Sequence, residues 1–187
     1  MSSSTGTSSI FVSTYEQYFF GRQENRCSRR RCKLHIGPFI AKRKGEYAMR
    51  QRNCAGGVVF SGARVLLLQN DKGEWVLPKG VIRSGERAGE VALQRVKQEG
   101  GVTAKIIAPA GETCYEFFSV SRRAPISNKV DWFIMQADDE EYIINKGEGF
   151  QDGGFYSLDE AGDRITYSQD QSLVRLAFEK YLAFQEE

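Results

Sequence analysis

The sequence predicts an α/β fold, an α/β/α sandwich with a mixed sheet, preceded by a basic N-terminal extension. Two observations predict it: short β-rich runs recur between residues 55 and 136, and two helical segments, 86–99 and 171–184, flank the later runs. The chain has 187 residues, 41% of them hydrophobic, which is enough for one domain with a sizeable core. We divide it into a flexible tail (1–14), a basic, aromatic-rich extension (15–52) and the α/β domain (53–187).

The first half of the domain reads as strands followed by a helix. Strands are expected at 55–60 and 63–69, joined at Ser61-Gly62, and a third short strand at 74–77 follows the turn Asn70 to Gly73. Residues 79–85 then form a short loop, and 86–99 has the composition of a single helix. Gly100-Gly101 ends that helix, because glycine readily takes the left-handed cap conformation.

The second half is expected to complete the sheet and add a final helix. Strands are predicted at 102–107, 113–120 and 129–136, with a polar loop at 121–128 between the last two. Cys114 lies in the second of these runs, and we expect a buried thiol there. After an acidic turn at 138–141, a last strand runs through Gly153–Leu158 into Asp159-Glu160-Ala161, and Ser168–Asp170 caps a helix over 171–184.

The loop and helix at 80–102 carry the most informative spacing. Residues 95, 98 and 99 are three and four apart, so they project from one face of the helix. Carboxylates at all three positions would form a cluster of hard oxygen ligands suited to magnesium and to phosphate-bond cleavage. This chain has Arg95, Gln98 and Glu99 there, so Glu99 is the one carboxylate of the three.

The segment resembles the Nudix box, although it is divergent. The matching positions are Gly80, Glu86, Val96, Glu99, Gly101 and Val102, whereas Gln94, Arg95 and Gln98 stand where the family has Arg, Glu and Glu. The resemblance covers about Cys54 to the C-terminus. It implies an α/β/α sandwich that cleaves the pyrophosphate bond of nucleoside diphosphates linked to varied groups, with Mg²⁺ or Mn²⁺ as cofactor.

The resemblance implies a set of site residues. Glu99, Gln98 and Glu86 are the catalytic candidates; Lys79, Arg95 and Arg52 are the candidates for substrate binding; and Glu99, the Gly80 carbonyl and Asp152 are the candidates for metal binding. Glu148 is an alternative to Asp152 as the acid from outside the box, and either one could instead be an ordinary surface acid in a Gly-rich loop. We expect Glu99 to face a site and not the core.

The substitutions leave two readings of the activity open. At about 5 Å and an effective dielectric near 20, exchanging one unit charge alters the local energy by roughly 3 kcal/mol, so Arg95 changes the site strongly. Either Glu99, Gln98, carbonyls and another acid still hold a metal, or the site has decayed and the fold binds a nucleotide or RNA without cleaving it. In the second case, Arg95 would contact a ligand phosphate directly.

Charge is divided unevenly along the chain. Residues 1–56 hold 11 basic and 3 acidic residues, a net charge of +8, against −6 for the remainder. Basic side chains interleaved with tyrosines and phenylalanines suit a polyanionic partner, such as RNA or a polyphosphorylated nucleotide. The alternative is a solvated arm whose aromatic residues pack on the domain. Arg122, Arg123 and Lys129 could face further phosphates, and the loops 121–128 and 145–154 are expected to set selectivity.

Two further expectations concern cysteines and location. Cys27, Cys32, His35 and Cys54 could supply four zinc ligands, although their spacing is irregular and free thiols are ordinary in a cytosolic protein. No apolar run reaches the length of a membrane span, and the N-terminus lacks the pattern of a signal peptide. Cytoplasmic localisation is therefore the default expectation.

Overall fold

The computed structural model describes residues 49–120 and 122–185. Seven strands and three helices lie in this part of the chain, with a 3-10 turn at Lys146–Glu148. The strands are β1 (Arg50–Ser61), β2 (Arg64–Asn70), β3 (Trp75–Val76), β4 (Lys79–Val81), β5 (Ala104–Ser119), β6 (Ala124–Ala137) and β7 (Phe150–Ser157). The helices are α1 (Ala88–Gly100), α2 (Leu158–Arg164) and α3 (Ser168–Gln185).

The strands form one mixed sheet, as the sequence predicted. Its main path runs β3-β2-β1-β6-β5, while β4 pairs with β1 and β7 pairs with β2. The long contact between β1 and β6 is parallel, and the remaining strand pairs are antiparallel. Strand β1 pairs with β2, β4 and β6 and is therefore the central strand of the sheet.

Each face of the sheet carries its own core, which confirms the α/β/α sandwich. Along β1, Val58 and Phe60 pack with residues of α2 and α3, whereas Ala55 and Val59 pack with Val91, Ala92 and Val96 of α1. Alternate side chains of a strand point to opposite faces, so a strand covered on both faces is apolar at nearly every position. The continuous apolar run of β1 therefore reflects its central place in the sandwich.

The helix predicted at 86–99 is present as α1; it begins two residues later than predicted, at Ala88, and ends as expected. Gly101 has a left-handed φ of 72°, and its N–H donates to the Lys97 carbonyl. A side chain at Gly101 would meet the backbone of Ile143, so this cap must be both left-handed and small.

Several expected boundaries differ from the structure. The runs at 102–107 and 113–120 form the single strand β5, because register shifts near Ala108 and Gly111 absorb the Pro109-containing segment as bulges. The polar loop predicted at 121–128 is shorter, since β6 already begins at Ala124. Residues Lys79–Val81, which we expected in a loop, pair with β1 as β4.

The expectation of a buried thiol at Cys114 was wrong, since the residue is exposed. It lies opposite Lys129 in the β5–β6 pair, on the outward face, while its neighbours Thr113 and Tyr115 point to the other face. An apolar run that alternates in this way buries only half of its side chains.

The expectations for the N-terminal part fall largely outside the described residues. The tail, most of the extension and three of the four candidate zinc ligands, Cys27, Cys32 and His35, lie within residues 1–48. Strand β1 begins at Arg50, so the last residues assigned to the extension pair with β6. In the described part of the chain, no helix is long and apolar enough to span a membrane.

Candidate functional site

The residues on either side of β4 are fixed to β1 by backbone hydrogen bonds. Gly57 N–H donates to the Pro78 carbonyl at 3.1 Å, and Ile82 N–H donates to the Asn53 carbonyl at 2.9 Å. Further along, the Glu86 carboxylate accepts the Arg83 N–H at 2.7 Å and the Glu86 N–H returns to the Arg83 carbonyl at 3.1 Å. Glu86, a catalytic candidate, thus closes the turn that leads into α1.

The last turn of α1 recruits a segment far away in the sequence. The final carbonyls of a helix have no partner within it. Here Ile143 N–H donates to the Gly100 carbonyl at 2.9 Å and Asn145 N–H donates to the Glu99 carbonyl at 3.1 Å. The Asn145 side chain donates to the Gln98 carbonyl at 3.0 Å. These three bonds dock residues 143–145 on the helix end, and the 3-10 turn that follows carries Glu148.

Arg95 lies at the centre of the resulting charge cluster. Its Nη1 is 3.8 Å from Glu99 Oε1 and 3.6 Å from Glu148 Oε2. The aliphatic part of the Arg95 side chain covers Gly80, where an added Cβ would lie 2.7 Å from Arg95 Cγ. Gly80 therefore allows the guanidinium to sit between two carboxylates from different elements.

Glu99 is buried, with 1% of the residue exposed. The sequence predicted that Glu99 faces a site and not the core; its side chain contacts Arg95 but is almost fully covered. Burial raises the pKa of Glu99 to about 8, against the lowering effects of Arg95, Lys79 and the Lys79 backbone amide. Its Oε2 atom is buried and accepts no hydrogen bond from any residue in the described part of the chain. The carboxyl group thus keeps its proton near neutral pH, and its Oε2 has no partner among the described residues.

The other candidates are placed at different distances from this cluster. Gln98 has an exposed side chain beside Glu99 on α1. Asp152 is exposed on β7, opposite Gln69, and its carboxylate accepts the neighbouring Gly153 N–H at 2.8 Å. Of the two acids considered from outside the box, Glu148 is the one whose carboxylate contacts Arg95.

Lys79 connects the two faces of the sheet. Its backbone N–H forms a hydrogen bond with the Glu99 carboxyl group, on the α1 side of the sheet. Its ammonium group lies 5.9 Å from the centre of the Trp132 ring, on the α3 side. Burial lowers the pKa of Lys79, but Tyr115, Asp170 and Glu99 outweigh that effect, and the net pKa is raised. Lys79 therefore stays charged at neutral pH.

Arg52 is also on the α3 side, away from the Arg95 cluster. Its guanidinium lies 5.6 Å from the centre of the Phe117 ring. Its positive charge lowers the pKa of Cys54, two residues along the same strand. Burial outweighs this effect, so the net pKa of the Cys54 thiol is raised. The three substrate-binding candidates are thus divided: Arg95 lies on the α1 side, Arg52 on the α3 side, and Lys79 reaches both.

A divalent cation finds a limited set of donors here. Among the described residues, no group of three His, Cys, Asp or Glu side chains is arranged to hold a metal. The cluster around Arg95 contains two carboxyl groups, those of Glu99 and Glu148. Magnesium is commonly bound by one or two carboxylates together with waters and substrate phosphates. The Glu99 Oε2 atom, which has no partner among the described residues, suits such a site. A cation bound there would contact the same two carboxyl groups as Arg95.

Sequence reasoning missed two contributors to the site. Asn145 was considered only as the start of a loop, yet it bonds to the end of α1 and, through its side-chain oxygen, accepts the Gly147 N–H at 3.0 Å. The Asn-x-Gly pattern is a turn signal that could have indicated this. Asp170 was predicted only as part of the cap of the last helix. It is buried, and its negative charge raises the pKa of Lys79, which lies on a different element. No local pattern indicates the second contact.

Comparison with known proteins places the chain among proteins of one family. The model of the NUDIX domain matches residues 50–176. A mutator protein of Mycobacterium tuberculosis, MutT4, is 26% identical over 155 residues, which cover 73% of this chain and 59% of that protein. The chain thus spans less than two thirds of the length of that curated relative.

Solved structures support the same fold. An Ap4A hydrolase from C. elegans, solved as a binary complex, superposes with a TM-score of 0.54 at 23% identity, covering 71% of this chain and 98% of that one. A MutT protein from Methanosarcina mazei gives 0.57 at 15% identity, covering 73% and 99%. An ADP-ribose pyrophosphatase from Streptococcus suis gives 0.55 at 18% identity, covering 70% and 91%. At these identities, the likeness concerns the fold.

Proposed function

Since the chain belongs to the NUDIX domain family, we propose that it hydrolyses a pyrophosphate bond in a nucleoside diphosphate-linked substrate. The cation that assists this reaction would be held by fewer carboxylates than the Nudix box of the family supplies. The observation that carries this proposal is the pair of carboxylates, Glu99 and Glu148, on either side of Arg95, together with the unused buried oxygen of Glu99. Two acids and a fixed guanidinium form a site that can hold both a cation and a phosphate.

Each residue of the cluster has a proposed role. Arg95 binds a non-bridging phosphate oxygen, for which the planar guanidinium is well suited. Lys79, which is charged and half-buried, binds a second phosphate oxygen or the part of the substrate that continues to the α3 side. Glu86 keeps the turn at Arg83 closed and so fixes the start of α1 beside the cluster. These contacts orient the bond to be broken.

Glu99 and Glu148, with the Gln98 amide and the Gly80 carbonyl, are the residues proposed to hold Mg²⁺ or Mn²⁺. When bound, such an ion neutralises phosphate charge and polarises the attacking water. Glu99 keeps its proton up to about pH 8 because it is buried. A further positive charge beside Glu99 lowers its pKa, so loading the site releases a proton. We therefore expect metal affinity to rise between pH 6 and pH 8.

The relatives suggest which substrates to test first. MutT4 is described as a mutator protein, and the structural neighbours include an Ap4A hydrolase and an ADP-ribose pyrophosphatase. Nucleoside triphosphates, dinucleoside polyphosphates and nucleotide sugars therefore form the primary panel. Asp152 remains a proposed alternative metal ligand, to be compared with Glu148 by Asp152→Asn and Glu148→Gln variants.

The test is a phosphate-release assay of the full chain across this panel. We expect release with Mg²⁺ or Mn²⁺, loss of release with a chelator, and unchanged release for Glu90→Gln, which removes an exposed carboxylate from the same helix. If none of the panel is cleaved with either ion between pH 6 and pH 9, the hydrolase proposal is wrong.

A second candidate is a Nudix-fold module that binds nucleotides or RNA without cleaving them. It is favoured by Arg95, which already supplies a positive charge between the two carboxylates. In that case, nucleotide affinity would be the same with Mg²⁺ and with a chelator. Participation of the basic extension in RNA binding and the cytoplasmic localisation stay predictions in both cases.

A further inference from the structure

An open pocket lies between the last turn of α1 and the segment 143–147. Its volume is about 550 Å³, which is within the range typical of small-molecule sites. One wall is the helix end, with Lys97, Gln98 and Gly101, and the opposite wall is the segment itself. The three hydrogen bonds that dock residues 143–145 on the helix therefore also build this pocket.

The pocket is continuous with the cluster around Arg95. Gln98 of the helix wall is followed by Glu99, and Gly147 of the opposite wall is followed by Glu148. These two carboxyl groups lie 3.8 Å and 3.6 Å from the Arg95 guanidinium. Neighbouring Cα atoms along a chain are about 3.8 Å apart, so the pocket begins one residue away from the cluster on both of its walls.

The charged side chains of the pocket are both positive. Its lining includes Lys97 and Lys146 and no acidic residue. Lys97 Nζ donates to the Thr103 hydroxyl at 2.6 Å, which restrains that ammonium group. Among the described residues, no carboxylate lies within ion-pair distance of the Lys146 ammonium, although Glu148 is only two residues away and contacts Arg95 instead. The pocket therefore presents positive charge that the described part of the chain does not neutralise.

The helix end opposes an anion less than an uncapped C-terminus would. The last carbonyls of a helix carry partial negative charge, which repels anions. In α1, the final three carbonyls accept hydrogen bonds from the segment 143–145. Because these carbonyls are engaged, the two ammonium groups determine the sign of the charge that a ligand meets in the pocket.

A polyphosphate chain fits this arrangement. In the proposed function, Arg95 and Lys79 bind phosphate oxygens at the bond to be cleaved. A third phosphate of the same chain lies beyond that pair, and the pocket supplies two cations beside the cluster. Ammonium groups on flexible stems bind phosphate as point charges, so they accept a phosphate whatever group it carries next. An uncharged sugar at this position would leave both ammonium groups without such a contact.

From this geometry, we propose that the pocket binds a third phosphate and that Lys146 is a specificity-determining residue, which favours substrates with three or more consecutive phosphates over those with two. The proposal rests on the proposed function for the placement of the first two phosphates, and it names the substrate class of that site. Nucleoside triphosphates and dinucleoside polyphosphates belong to this class, whereas nucleotide sugars do not.

The test measures binding by calorimetry in the presence of a chelator, so it does not require turnover. The full chain is titrated with inorganic pyrophosphate and inorganic tripolyphosphate, and then with ADP and ATP. The first pair has no base and the second pair has the same base. The ratio of the two affinities within each pair therefore reports the contribution of the third phosphate.

Four variants are compared with the wild type. Lys146→Gln and Lys97→Gln each remove one positive charge from the pocket, and Lys146→Arg keeps it. Lys105→Gln is the matched control, because it removes the same charge from an exposed lysine that pairs with Asp138 outside the pocket. All three lysines are exposed, so thermal unfolding should show that each variant is folded.

We expect the wild type to bind tripolyphosphate about tenfold more tightly than pyrophosphate, the effect of one additional charge-assisted hydrogen bond. Lys146→Gln should remove most of this preference while pyrophosphate binding stays nearly unchanged. Lys97→Gln should reduce the preference, and Lys146→Arg should retain it. The same order is expected for ATP over ADP, and Lys105→Gln should behave as the wild type in both pairs.

Two outcomes would overturn the inference. One is a wild type that does not distinguish the two anions of each pair, and the other is a preference in Lys146→Gln that equals the preference in Lys105→Gln. The second outcome would mean that the overall charge of the chain selects the longer anion. A preference for the third phosphate without any phosphate release would refute the hydrolase proposal and leave this inference standing, and release without the preference would do the reverse.

Discussion

At the scale of single residues, the burial of Glu99 dominates the chemistry of the site. A carboxyl group that is 1% exposed would normally be expelled from such a position or neutralised. Here it has a partial counter-charge in Arg95 at 3.8 Å and a pKa raised to about 8 by burial. Burying this group lowers the stability of the fold at pH values above the ordinary pKa of Glu. A function of the carboxyl group would explain why it is retained despite this cost.

This burial predicts how stability depends on pH. The pKa of Glu99 is about 8 in the folded chain, against an ordinary value of 4.5. Between these two pH values the unfolded chain loses the Glu99 proton while the folded chain keeps it, so wild-type stability falls as the pH rises. Each pKa unit corresponds to about 1.4 kcal/mol, so the total effect is on the order of a few kcal/mol. Glu99→Gln removes the titration, and its stability relative to the wild type should increase from pH 5 to pH 8.

Urea unfolding of both proteins at pH 5, 6.5 and 8 measures this difference. Glu90→Gln, an exposed position of α1, is the control and should show little change with pH. A difference between Glu99→Gln and the wild type that is independent of pH would mean that Glu99 has its ordinary pKa in the folded protein.

At the scale of elements, α1 carries positions 95, 98 and 99 on one face. The Nudix box has carboxylates at the first two positions, where this chain has Arg95 and Gln98, and restoring them tests their contribution directly. The double variant Arg95→Glu with Gln98→Glu supplies carboxylates at i, i+3 and i+4. Without a cation these would repel Glu99 and Glu148, so the variant should unfold at a lower temperature that Mg²⁺ raises strongly. If the remaining site is intact, turnover should also increase; a tenfold gain corresponds to only about 1.4 kcal/mol.

The measurements are thermal unfolding against Mg²⁺ concentration and phosphate release. Arg87→Glu with Gln94→Glu is the matched control, since it makes the same change of charge at exposed positions of the same helix and its N-cap. A double variant that folds and binds Mg²⁺ yet cleaves nothing across the panel would show that the loss of activity extends beyond α1. The binding-module reading would then replace the hydrolase.

The elements also show how far the sequence alone could reach. The loop and α1 were predictable, because Gly80, Glu99 and Gly101 act through local spacing and backbone conformation. The approach of Glu148 to Arg95 could be named only as one of two options, since it depends on hydrogen bonds from residues 143–145 to the end of α1. The single strand β5 and the outward position of Cys114 depend on pairing with β6, which composition does not encode.

At the scale of the whole molecule, the sheet separates two chemical environments that Lys79 connects. The carboxyl groups of Glu99 and Glu148 lie with Arg95 on the α1 side, whereas Trp132, Tyr115 and Asp170 lie on the α3 side. This division accounts for why the three candidate binding cations, Lys79, Arg95 and Arg52, do not form a single cluster.

The charge of the N-terminal part makes a separate prediction. Residues 1–56 carry a net charge of +8, and the remainder carries −6. If the extension binds a polyanion, deletion of residues 1–44 should weaken RNA or polyphosphate binding and flatten its dependence on salt, because each lost phosphate contact reduces the slope by about 0.7 for a single strand. Binding measured between 50 and 300 mM salt tests this. An unchanged slope would mean that the extension only packs on the domain.

The central claim, that this Nudix domain retains hydrolysis through Glu99, is tested most directly by metal-dependent turnover of one variant. Phosphate release from the best substrate of the panel is measured at pH 8 with Mg²⁺ for the wild type and for Glu99→Gln, after both are shown to be folded by urea unfolding. We predict that Glu99→Gln loses at least about a hundredfold in turnover, as expected when a charged group acting on the transition state is removed. Equal phosphate release by the two proteins would contradict the account.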